Sequence, residues 1–299
     1  MRIVIAGGTG FLGTPLAAAL AADRHDVVVL SRTAGAADHI VPWQPDGTVG
    51  PWARVVDGAA AVVNLAGESI AGRRWTAAHK QRILDSRVRA TRSLAAAIRR
   101  AAQPPAVLVS GSAVGYYGPH GDDLVTEATP PGADFLADVC LRWEQEATAA
   151  GPQTRVVCIR TGLVLERDGG ALPQMLPPFR LGAGGPVGSG AQYWPWIHRL
   201  DWINLVRWAI DSPTVSGPVN ATAPRPVTNR EFARTLGRVL HRPAVLPAPA
   251  FALRLMLGEM ADALLLSGQR AVPDAATRNG FSFRYPTVEE ALRAIFSGS

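Results

Sequence analysis

The sequence predicts an α/β fold, with a doubly wound parallel sheet in its first half and a smaller, mainly helical C-terminal part. Short apolar runs alternate with helical patterns as far as Gly162, and a glycine-rich turn joins the first run to the first helix. Helical patterns then return towards the C-terminus. Strands that alternate with helices need crossover connections, and such connections make neighbouring strands parallel.

Short apolar runs predict strands at residues 3–6, 27–30, 60–65, 107–110 and 154–159. Apolar residues at helical spacing predict helices at residues 14–22, 83–98, 201–211 and 229–240. A last helix is expected to begin at Thr287, because Thr287 and Glu290 fit a capping box. Residues 162–196 are rich in Gly and Pro, so we expect a loop that covers a site there.

Composition indicates a globular protein with many turns and excludes several classes. The chain has 299 residues, of which 47% are hydrophobic and 18% charged, with 30 Gly and 24 Pro. No apolar stretch reaches the roughly 18 residues that a membrane span needs, and the N-terminus lacks a signal-peptide pattern. Cys140 and Cys158 are too few for a disulfide framework and have no metal-ligand spacing. We therefore expect a soluble, cytoplasmic protein without a bound metal.

The chain has a net charge of +6 and an isoelectric point near 10.1, which could indicate a nucleic-acid partner. However, the arginines are dispersed, and no helix-turn-helix, zinc-finger or aromatic RNA-binding signature is present. A surplus of this size fits a ligand that carries several phosphates. We expect a small-molecule ligand, no nucleic-acid or membrane partner, and a monomer or homodimer.

Residues 7–13 read GGTGFLG, directly after the first predicted strand and directly before the first predicted helix. Gly8, Gly10 and Gly13 satisfy G-x-G-x-x-G, whose glycines let the backbone turn sharply and approach a pyrophosphate. The helix N-terminus then offers free N–H groups to the phosphates. An ordinary tight turn is the alternative. The pattern predicts a Rossmann dinucleotide site formed by Gly7, Thr9, Gly10, Phe11, Leu12 and Gly13.

The end of the second strand indicates which dinucleotide binds. An NAD site usually places Asp or Glu about 20 residues after the turn, on the ribose 2′-hydroxyl. Here Ser31 and Arg32 follow the strand, and no acid stands there. The planar fork of arginine suits a 2′-phosphate. Ser31 and Arg32 therefore predict NADP(H), with a solvated strand-end arginine as the alternative.

These motifs divide the chain into two expected domains. Residues 1–165 would form an NADP(H)-binding Rossmann domain, and parts of 195–225 would return to it. Residues 166–299 would form a substrate loop and a smaller C-terminal substrate domain.

Further motifs resemble the extended short-chain dehydrogenases/reductases. The segments NLAG at 64–67 and SGSAV at 110–114, followed by His198 and Asp201, occur in the order seen in that family. More narrowly, the chain is similar to the atypical branch named NAD-dependent epimerase/dehydratase family protein, which has a C-terminal domain of unknown function. The motifs that carry this resemblance span the chain: NLAGESIAGRRW, ILDSRVRAT, SGSAVGYYG, FLADVCLRWEQEA, GGPVGSGAQYWPWIH and GFSFRYPTVEEAL.

The resemblance implies roles for several residues. Asn64, Leu65, Ala66 and Gly67 would line the ribose side of the cofactor. His198 and Asp201 would anchor the site loop to the helix that follows. Tyr193, Trp194 and Trp196 are expected in an apolar wall or core.

The resemblance also implies a catalytic pair that this sequence lacks. Extended reductases use Tyr-x-x-x-Lys, in which the lysine lowers the pKa of the tyrosine. None of the tyrosines has a lysine four residues after it. The single lysine, Lys80, stands four residues after Thr76. Aligned with the family, Leu136 stands in place of the tyrosine, Cys140 in place of the lysine and Arg87 in place of a helix asparagine. Ser112 stands at its expected position.

The leading hypothesis is an NADP(H)-dependent oxidoreductase that acts on a small carbonyl or alcohol. Ser112, with Tyr116 or Tyr117 as a substitute proton donor, would face the reacting oxygen. Arg87 or Lys80 could lower the pKa of that tyrosine, although both tyrosines could instead be structural.

Other readings are open. The protein could bind NADP(H) without turnover, as a redox sensor or scaffold. It could be a nucleotide-sugar epimerase or dehydratase, although that chemistry depends on the missing pair. Cys140 could be reactive, although a lone helical cysteine is commonly a small buried hydrophobe.

Two other basic features are candidates for the site. Arg160 ends the last predicted strand, where it could reach the cofactor or the substrate cleft or remain at the surface. The resemblance places Ser86 and Arg87 beside the nicotinamide pocket. They lie in a basic stretch that could bind an anion or form a solvated face: Arg73, Arg74, His79, Lys80, Arg82, Arg87 and Arg89.

Overall fold

The structure is a computed structural model that describes residues 1–33, 37 and 39–297. Its strands are β1 Arg2–Ala6, β2 Asp26–Ser31, β3 Ile40–Pro42, β4 Ala61–Asn64, β5 Val107–Ala113, β6 Leu124–Val125, β7 Arg155–Thr161, β8 Leu163–Leu165, β9 Tyr193–Trp194, β10 Trp196–His198, β11 Gly217–Ala221, β12 Val227–Thr228 and β13 Arg270–Ala271. Its α-helices are α1 Gly13–Ala22, α2 Ala77–Arg100, α3 Phe135–Thr148, α4 Leu172–Arg180, α5 Arg199–Asp211, α6 Asn229–Val239, α7 Ala250–Leu257, α8 Glu259–Ala261, α9 Asp274–Arg278 and α10 Val288–Phe296.

Seven strands form one sheet in the order β11-β7-β5-β4-β1-β2-β3, and every neighbouring pair is parallel. The chain starts at β1 and winds outwards in both directions, so the strand order reverses between β1 and β4. This is the doubly wound Rossmann arrangement, in which ligands bind outside the carboxyl ends of the strands where the order reverses. The predicted fold class is confirmed.

Both faces of the sheet are covered, which explains why its strands are nearly continuous apolar runs. Along β1, Ile3 and Ile5 enter the core on one face, whereas Val4 and Ala6 enter the core on the other. Residues of α1 and α5 pack on the first face, and residues of α2 pack on the second. Each strand is thereby fixed in register, and the carboxyl ends of β1, β2, β4 and β5 meet at one edge.

The segment 162–196 contains more regular structure than its Gly and Pro content predicts. It forms α4, even though Pro177 and Pro178 lie inside this helix. Leu172, Leu176 and Phe179 recur on one helix face and are buried in the C-terminal core. Burial of that face compensates for the backbone hydrogen bonds that proline cannot make.

The aromatic residues beyond α4 belong to the same C-terminal core. Trp194 and Trp196 are buried there, as expected, and Tyr193 is half-buried beside them. The core also takes the apolar faces of α6 and α10. This part of the chain is smaller than the sheet domain and mainly helical, as predicted.

Two connections join the C-terminal part to the sheet. The strand β11 pairs with β7 inside the main sheet. The predicted boundary between the two domains near residue 165 stays a prediction. Asp201 at the start of α5 accepts hydrogen bonds from the backbone N–H groups of Arg284 and Tyr285, at 2.8 and 2.9 Å. Nδ1 of His198 accepts the N–H of Leu200 and caps α5, so His198 and Asp201 both make structural contacts.

The last helix begins as its sequence predicts. The hydroxyl of Thr287 accepts the N–H of Glu290, and the carboxylate of Glu290 accepts the N–H of Thr287. This reciprocal capping box is the predicted one. Within residues 1–33, 37 and 39–297, no helix is long and apolar enough to cross a bilayer.

Candidate functional site

Two glycines of the turn after β1 are required by packing. A Cβ on Gly13 would overlap the carbonyl oxygen of Gly7 and lie 2.7 Å from Cα of Gly8. A Cβ on Gly7 would lie 2.7 Å from the backbone of Leu65, and the φ angle of Gly7 is +80°. These positions cannot hold a side chain, so the turn packs closely against α1 and the end of β4.

Gly10 has a different environment. A Cβ there would meet only the carbonyl oxygen of Gly7 at 3.4 Å, and the residue is exposed. Helix α1 starts three residues later without a side-chain cap or an acidic residue in its first turn. Open space beside uncapped N–H groups at the positive end of a helix suits a phosphate.

The other residues of the turn contribute differently. Thr9 is exposed, whereas Phe11 and Leu12 pack at the border of the core. The ring of Phe11 fills the space above Gly169 and Gly170, where any Cβ would approach it within about 3 Å. The side chains of Phe11 and Leu12 are therefore directed into the protein, and their backbone faces the open side of the turn.

Ser31 and Arg32 lie at the same edge of the sheet, because β2 is the neighbour of β1. The hydroxyl of Ser31 accepts the N–H of Thr33 at 3.2 Å. Arg32 is exposed, and its guanidinium has no hydrogen bond or ion pair with another residue that the structure describes. Its charge is available to a ligand at this edge.

The loop after β4 lies beside the glycine turn. The buried amide of Asn64 shapes this loop, because Nδ2 donates to the Thr91 hydroxyl at 2.8 Å and Oδ1 accepts the N–H of Ala66 at 3.2 Å. The N–H of Leu65 donates to the carbonyl of Ala6 at 2.8 Å. The side chains of Leu65 and Ala66 pack on the core, and Gly67 is exposed at the edge.

Helix α2 holds the next residue of this loop through Ser86 and Arg87. The N–H of Glu68 donates to the Ser86 hydroxyl at 2.9 Å, and Nη1 of Arg87 donates to the Glu68 carbonyl at 3.0 Å. The Arg87 guanidinium stacks on Trp143, with 5.1 Å from Cζ to the ring centre. Only 8% of Arg87 is exposed, and this burial lowers its pKa. A Cβ on Gly67 would lie 3.1 Å from its Cζ.

Ser112 lies near the carboxyl end of β5, and its hydroxyl donates to Oε1 of Glu144 at 2.6 Å. Glu144 also accepts two hydrogen bonds from Arg160, at 2.9 Å each. A carboxylate held in this way accepts hydrogen bonds and donates none. The Ser112 proton is therefore directed at Glu144, and the same hydroxyl, which is only 3% exposed, lies beside the thiol of Cys140.

Arg160 is engaged inside the protein. Besides Glu144, it donates through Nη1 to the Tyr117 hydroxyl at 3.0 Å and to the carbonyl of Glu127 at 3.3 Å. This arrangement differs from the expectation that Arg160 binds the cofactor, because its donors point to partners within the fold.

Tyr117 is part of the same buried network and only 1% exposed. Its hydroxyl donates to Oδ1 of Asn220 at 2.7 Å, and Nδ2 of Asn220 donates to the carbonyl of Val272. Burial raises the pKa of Tyr117 to about 12. Its proton is therefore held firmly and directed at Asn220, which favours a structural role.

Tyr116 differs from Tyr117 in its burial and in its hydrogen bonding. It is half-buried, and its hydroxyl makes no hydrogen bond within the described part of the chain. Its ring stacks on the Arg160 guanidinium, with 3.5 Å from Cζ to the ring centre. Of the two tyrosines, Tyr116 is the one whose hydroxyl is free for a ligand.

Apolar side chains occupy the positions of the missing catalytic pair. Leu136 is buried in a cluster with Trp75, Ile83 and Met260. Cys140 is also buried, and this burial raises the pKa of its thiol to about 12. A thiol with that pKa stays neutral near pH 7, which argues against a reactive cysteine. Lys80 lies at the border of this cluster, with Nζ 4.5 Å from the centre of the Phe135 ring, and pairs with Glu259 at 2.8 Å.

Glu144 and Asn220 are not among the site residues predicted from the sequence. A signal for Glu144 was present, because residues 136, 140 and 144 recur at helical spacing on the buried face of α3. A charged residue that continues an apolar stripe indicates a buried partner of opposite charge. No comparable pattern precedes Asn220, whose contacts come from β11 lying next to β7.

Comparison with known proteins gives the family. The sequence profile of the NAD dependent epimerase/dehydratase family matches residues 3–221. The chain belongs to this family. The profile of a domain of unknown function, DUF1731, matches residues 248–295. Both parts of the resemblance found in the sequence are thereby confirmed.

Relatives of this family member cover nearly its whole length. It is 46% identical over 294 residues to an epimerase family protein of Mycobacterium bovis, a match that covers 97% of this chain and 96% of the relative. It is 44% identical over 302 residues to the chloroplastic SDR39U1 homolog of Arabidopsis thaliana, with 99% and 86% covered. The crystal structure of human SDR39U1 with NADPH superposes with a TM-score of 0.93 at 38% identity, covering 100% of both chains.

Proposed function

We propose that this protein is a cytoplasmic NADPH-dependent oxidoreductase that acts on a small carbonyl or alcohol, as a monomer or homodimer. The observation that carries the proposal is the edge formed by the ends of β1, β2, β4 and β5. It brings together an open glycine turn, an unpaired arginine and a serine bound to a largely buried carboxylate.

The proposed cofactor is supported by residues whose space and charge suit the phosphates of NADPH. A Cβ on Gly10 would occupy the space that a phosphate needs beside the N-terminus of α1. The exposed and unpaired Arg32 suits the 2′-phosphate that distinguishes NADPH from NADH. The human relative at 38% identity was solved with NADPH.

The substrate half of the proposal assigns a proton path to Ser112 and Glu144. When bound, NADP(H) supplies or accepts the hydride. In the direction of alcohol oxidation, Ser112 accepts the hydroxyl proton of the substrate while its own proton passes to Glu144 along their 2.6 Å hydrogen bond. In the reverse direction, the same path returns a proton to the new alcohol oxygen. The free hydroxyl of Tyr116 can hold the same substrate oxygen.

A second candidate function is NADPH binding without turnover, as a redox sensor or scaffold. The residues at the positions of the Tyr–Lys pair favour it, because Leu136 does not ionise and burial raises the pKa of the Cys140 thiol to about 12. Nucleotide-sugar epimerisation is less well supported for the same reason, despite the name of the family.

The first experiment tests the cofactor. The purified protein is titrated with NADPH and with NADH, and binding is followed through energy transfer from tryptophan to the nicotinamide. We expect NADPH to bind more tightly, and Arg32→Ala to weaken NADPH by about 10- to 100-fold with NADH unchanged, because a charge-assisted contact is lost. Absence of binding to both nucleotides would refute the proposal.

The second experiment tests turnover. Oxidation of NADPH is followed by absorbance with phenanthrenequinone and with a panel of aldehydes and ketones. Ser112→Ala is expected to lower kcat by about 100-fold or more, because it interrupts the proton path. If NADPH binds but no carbonyl compound is reduced, the sensor function is favoured. Turnover that survives both Ser112→Ala and Tyr116→Phe would show that the proton path is wrong.

A further inference from the structure

Arg87 is a buried cation without a counter-ion. Within residues 1–33, 37 and 39–297, no carboxylate forms an ion pair with it. Its Nη1 donates to the carbonyls of Glu68 and Ile83, at 3.0 and 3.1 Å. Its Nε and Nη2 have no acceptor, yet both keep accessible surface although the residue is only 8% exposed. Two donors of a planar cation are thus left open to a ligand.

Two other arginines with little exposure are paired with carboxylates, whereas the partly buried Arg155 donates to backbone carbonyls. Arg160 binds both oxygens of Glu144, and Arg199 pairs with Glu166 and Asp168. A buried charge without a partner is costly, and buried charges in proteins are normally paired. By this comparison, the fold supplies no anion for Arg87.

The position of Arg87 gives a ligand access to it. Its guanidinium lies beneath Gly67, which is exposed just after the carboxyl end of β4. A Cβ at Gly67 would lie 3.1 Å from Cζ and 3.2 Å from Nη1, so any larger residue would crowd the guanidinium. Ligands of doubly wound sheets bind at this edge.

The surrounding charge also favours an anion. Arg73 and Arg74, on the loop before α2, are exposed and have no ion pair in the described part of the chain. The Arg74 guanidinium lies against Gly258 of the C-terminal part. Glu68 is the acidic residue whose charge acts on Arg87, beyond ion-pair distance. A rim with excess arginine attracts anionic ligands.

We propose that Arg87 is the anion-binding residue of the substrate site, and that the substrate carries a carboxylate or phosphate group beside its reacting carbonyl or alcohol. This inference rests on the proposed function and narrows its substrate class. The anion takes the two free donors of Arg87 in a bidentate contact, and Arg73 and Arg74 attract it to the cleft.

Calorimetric titration of the NADPH-loaded protein tests this inference. Malonate and inorganic phosphate are the anionic probes, and malonamide is the neutral control. We expect at least one anion to bind and malonamide not to bind. Arg87→Gln should weaken the anion by about 10- to 100-fold, because a bidentate charged contact is lost. Arg87→Lys should recover part of the affinity, since it keeps the charge without the fork.

The control is Arg92→Gln, which removes the same charge from the same helix but breaks an exposed pair with Glu146. It should bind the anion as the wild type does. Thermal unfolding confirms that each variant folds, and Arg87→Gln should unfold within a few degrees of the wild type.

Three outcomes would overturn the inference: no anion binding by the wild type, equal binding by Arg87→Gln, or an equal loss in Arg92→Gln. A loss of NADPH affinity in Arg87→Gln with malonate binding intact would instead assign Arg87 to the cofactor, which also overturns it. The titration needs no turnover. Failure to find oxidoreductase activity is therefore distinguishable from failure of the anion site.

Discussion

Arg160 and Glu144 form a bidentate ion pair in the interior, with Nε to Oε1 and Nη2 to Oε2 both at 2.9 Å. The same carboxylate holds the Ser112 hydroxyl at 2.6 Å, and the same guanidinium holds the Tyr117 hydroxyl at 3.0 Å. The pair therefore connects α3 and β7 to the end of β5. It also fixes the direction in which the Ser112 proton points.

Breaking this pair from one side should destabilise the fold strongly. Arg160→Met leaves the largely buried Glu144 carboxylate without its partner, so we expect the free energy of unfolding to fall by about 3–5 kcal/mol. Urea unfolding followed by tryptophan fluorescence measures the change. The double variant Arg160→Met/Glu144→Leu should recover much of the loss, because it removes both charges.

The matched control is the bidentate pair of Arg254 and Asp262, which is exposed. Arg254→Met should change the stability little, because exposed ion pairs are solvated and contribute little. An equal loss in Arg160→Met and Arg254→Met would show that burial is not the reason for the effect.

Gly10 and Gly13 should respond differently to the same substitution. Gly13→Ala places a Cβ on the carbonyl oxygen of Gly7, so we expect a loss of about 1–3 kcal/mol in stability from overpacking. Gly10→Ala places its Cβ in open space and should leave stability nearly unchanged. It should nevertheless weaken NADPH by about tenfold or more, because the methyl group occupies the place of a phosphate.

Thermal unfolding and NADPH titration of both variants check this pair. Unchanged NADPH affinity in Gly10→Ala would mean that the phosphate does not approach this turn.

His198 should make stability depend on pH below neutrality. Burial lowers its pKa from 6.5 to about 4, so the folded state holds the ring neutral. Its contribution is therefore complete above pH 6.5 and is lost as the pH falls towards 4, because the unfolded chain takes up the proton first. His198→Asn keeps an acceptor that can cap α5 but does not titrate. The stability lost between pH 7 and pH 5 should be about 2 kcal/mol smaller in this variant.

Urea unfolding at the two pH values measures the difference. A pH dependence that is identical in the wild type and in His198→Asn would contradict the assigned pKa.

Tyr116 and Tyr117 are adjacent in sequence, but we expect the loss of one hydroxyl to lower stability and the loss of the other to lower turnover. Tyr117→Phe removes buried hydrogen bonds to Asn220 and Arg160, so we expect a loss of about 1–3 kcal/mol in stability. Tyr116→Phe removes a hydroxyl without a described partner and should change stability by less than about 0.5 kcal/mol. If Tyr116 holds the substrate oxygen, only Tyr116→Phe lowers kcat at temperatures where both variants are folded.

The reverse pattern, with kcat lowered by Tyr117→Phe alone, would return the catalytic role to the buried tyrosine. Stability and kcat measured on the same preparations distinguish the two results.

Local patterns of the sequence predicted most of the fold. Some features depend only on neighbours within a few residues, so the local sequence predicts them. These are the strand β1, the turn at residues 7–13 and the capping box at Thr287. Arg32 predicted NADP(H) in the same way, and the human relative solved with NADPH agrees with it. Helix α4 was missed because its prolines disfavour a helix locally, whereas burial of Leu172, Leu176 and Phe179 favours one.

The sequence by itself determined the doubly wound sheet, the nucleotide turn, the family and the absence of a Tyr-x-x-x-Lys pair. Only the tertiary structure gave the Tyr117 hydroxyl its buried partners, directed Arg160 to Glu144, and left Arg87 without a counter-ion beneath Gly67. Which charges are paired and which hydroxyls are free depends on strands and helices far apart in sequence. A charge or a hydroxyl in the sequence carries no information about its partner until packing brings the two together.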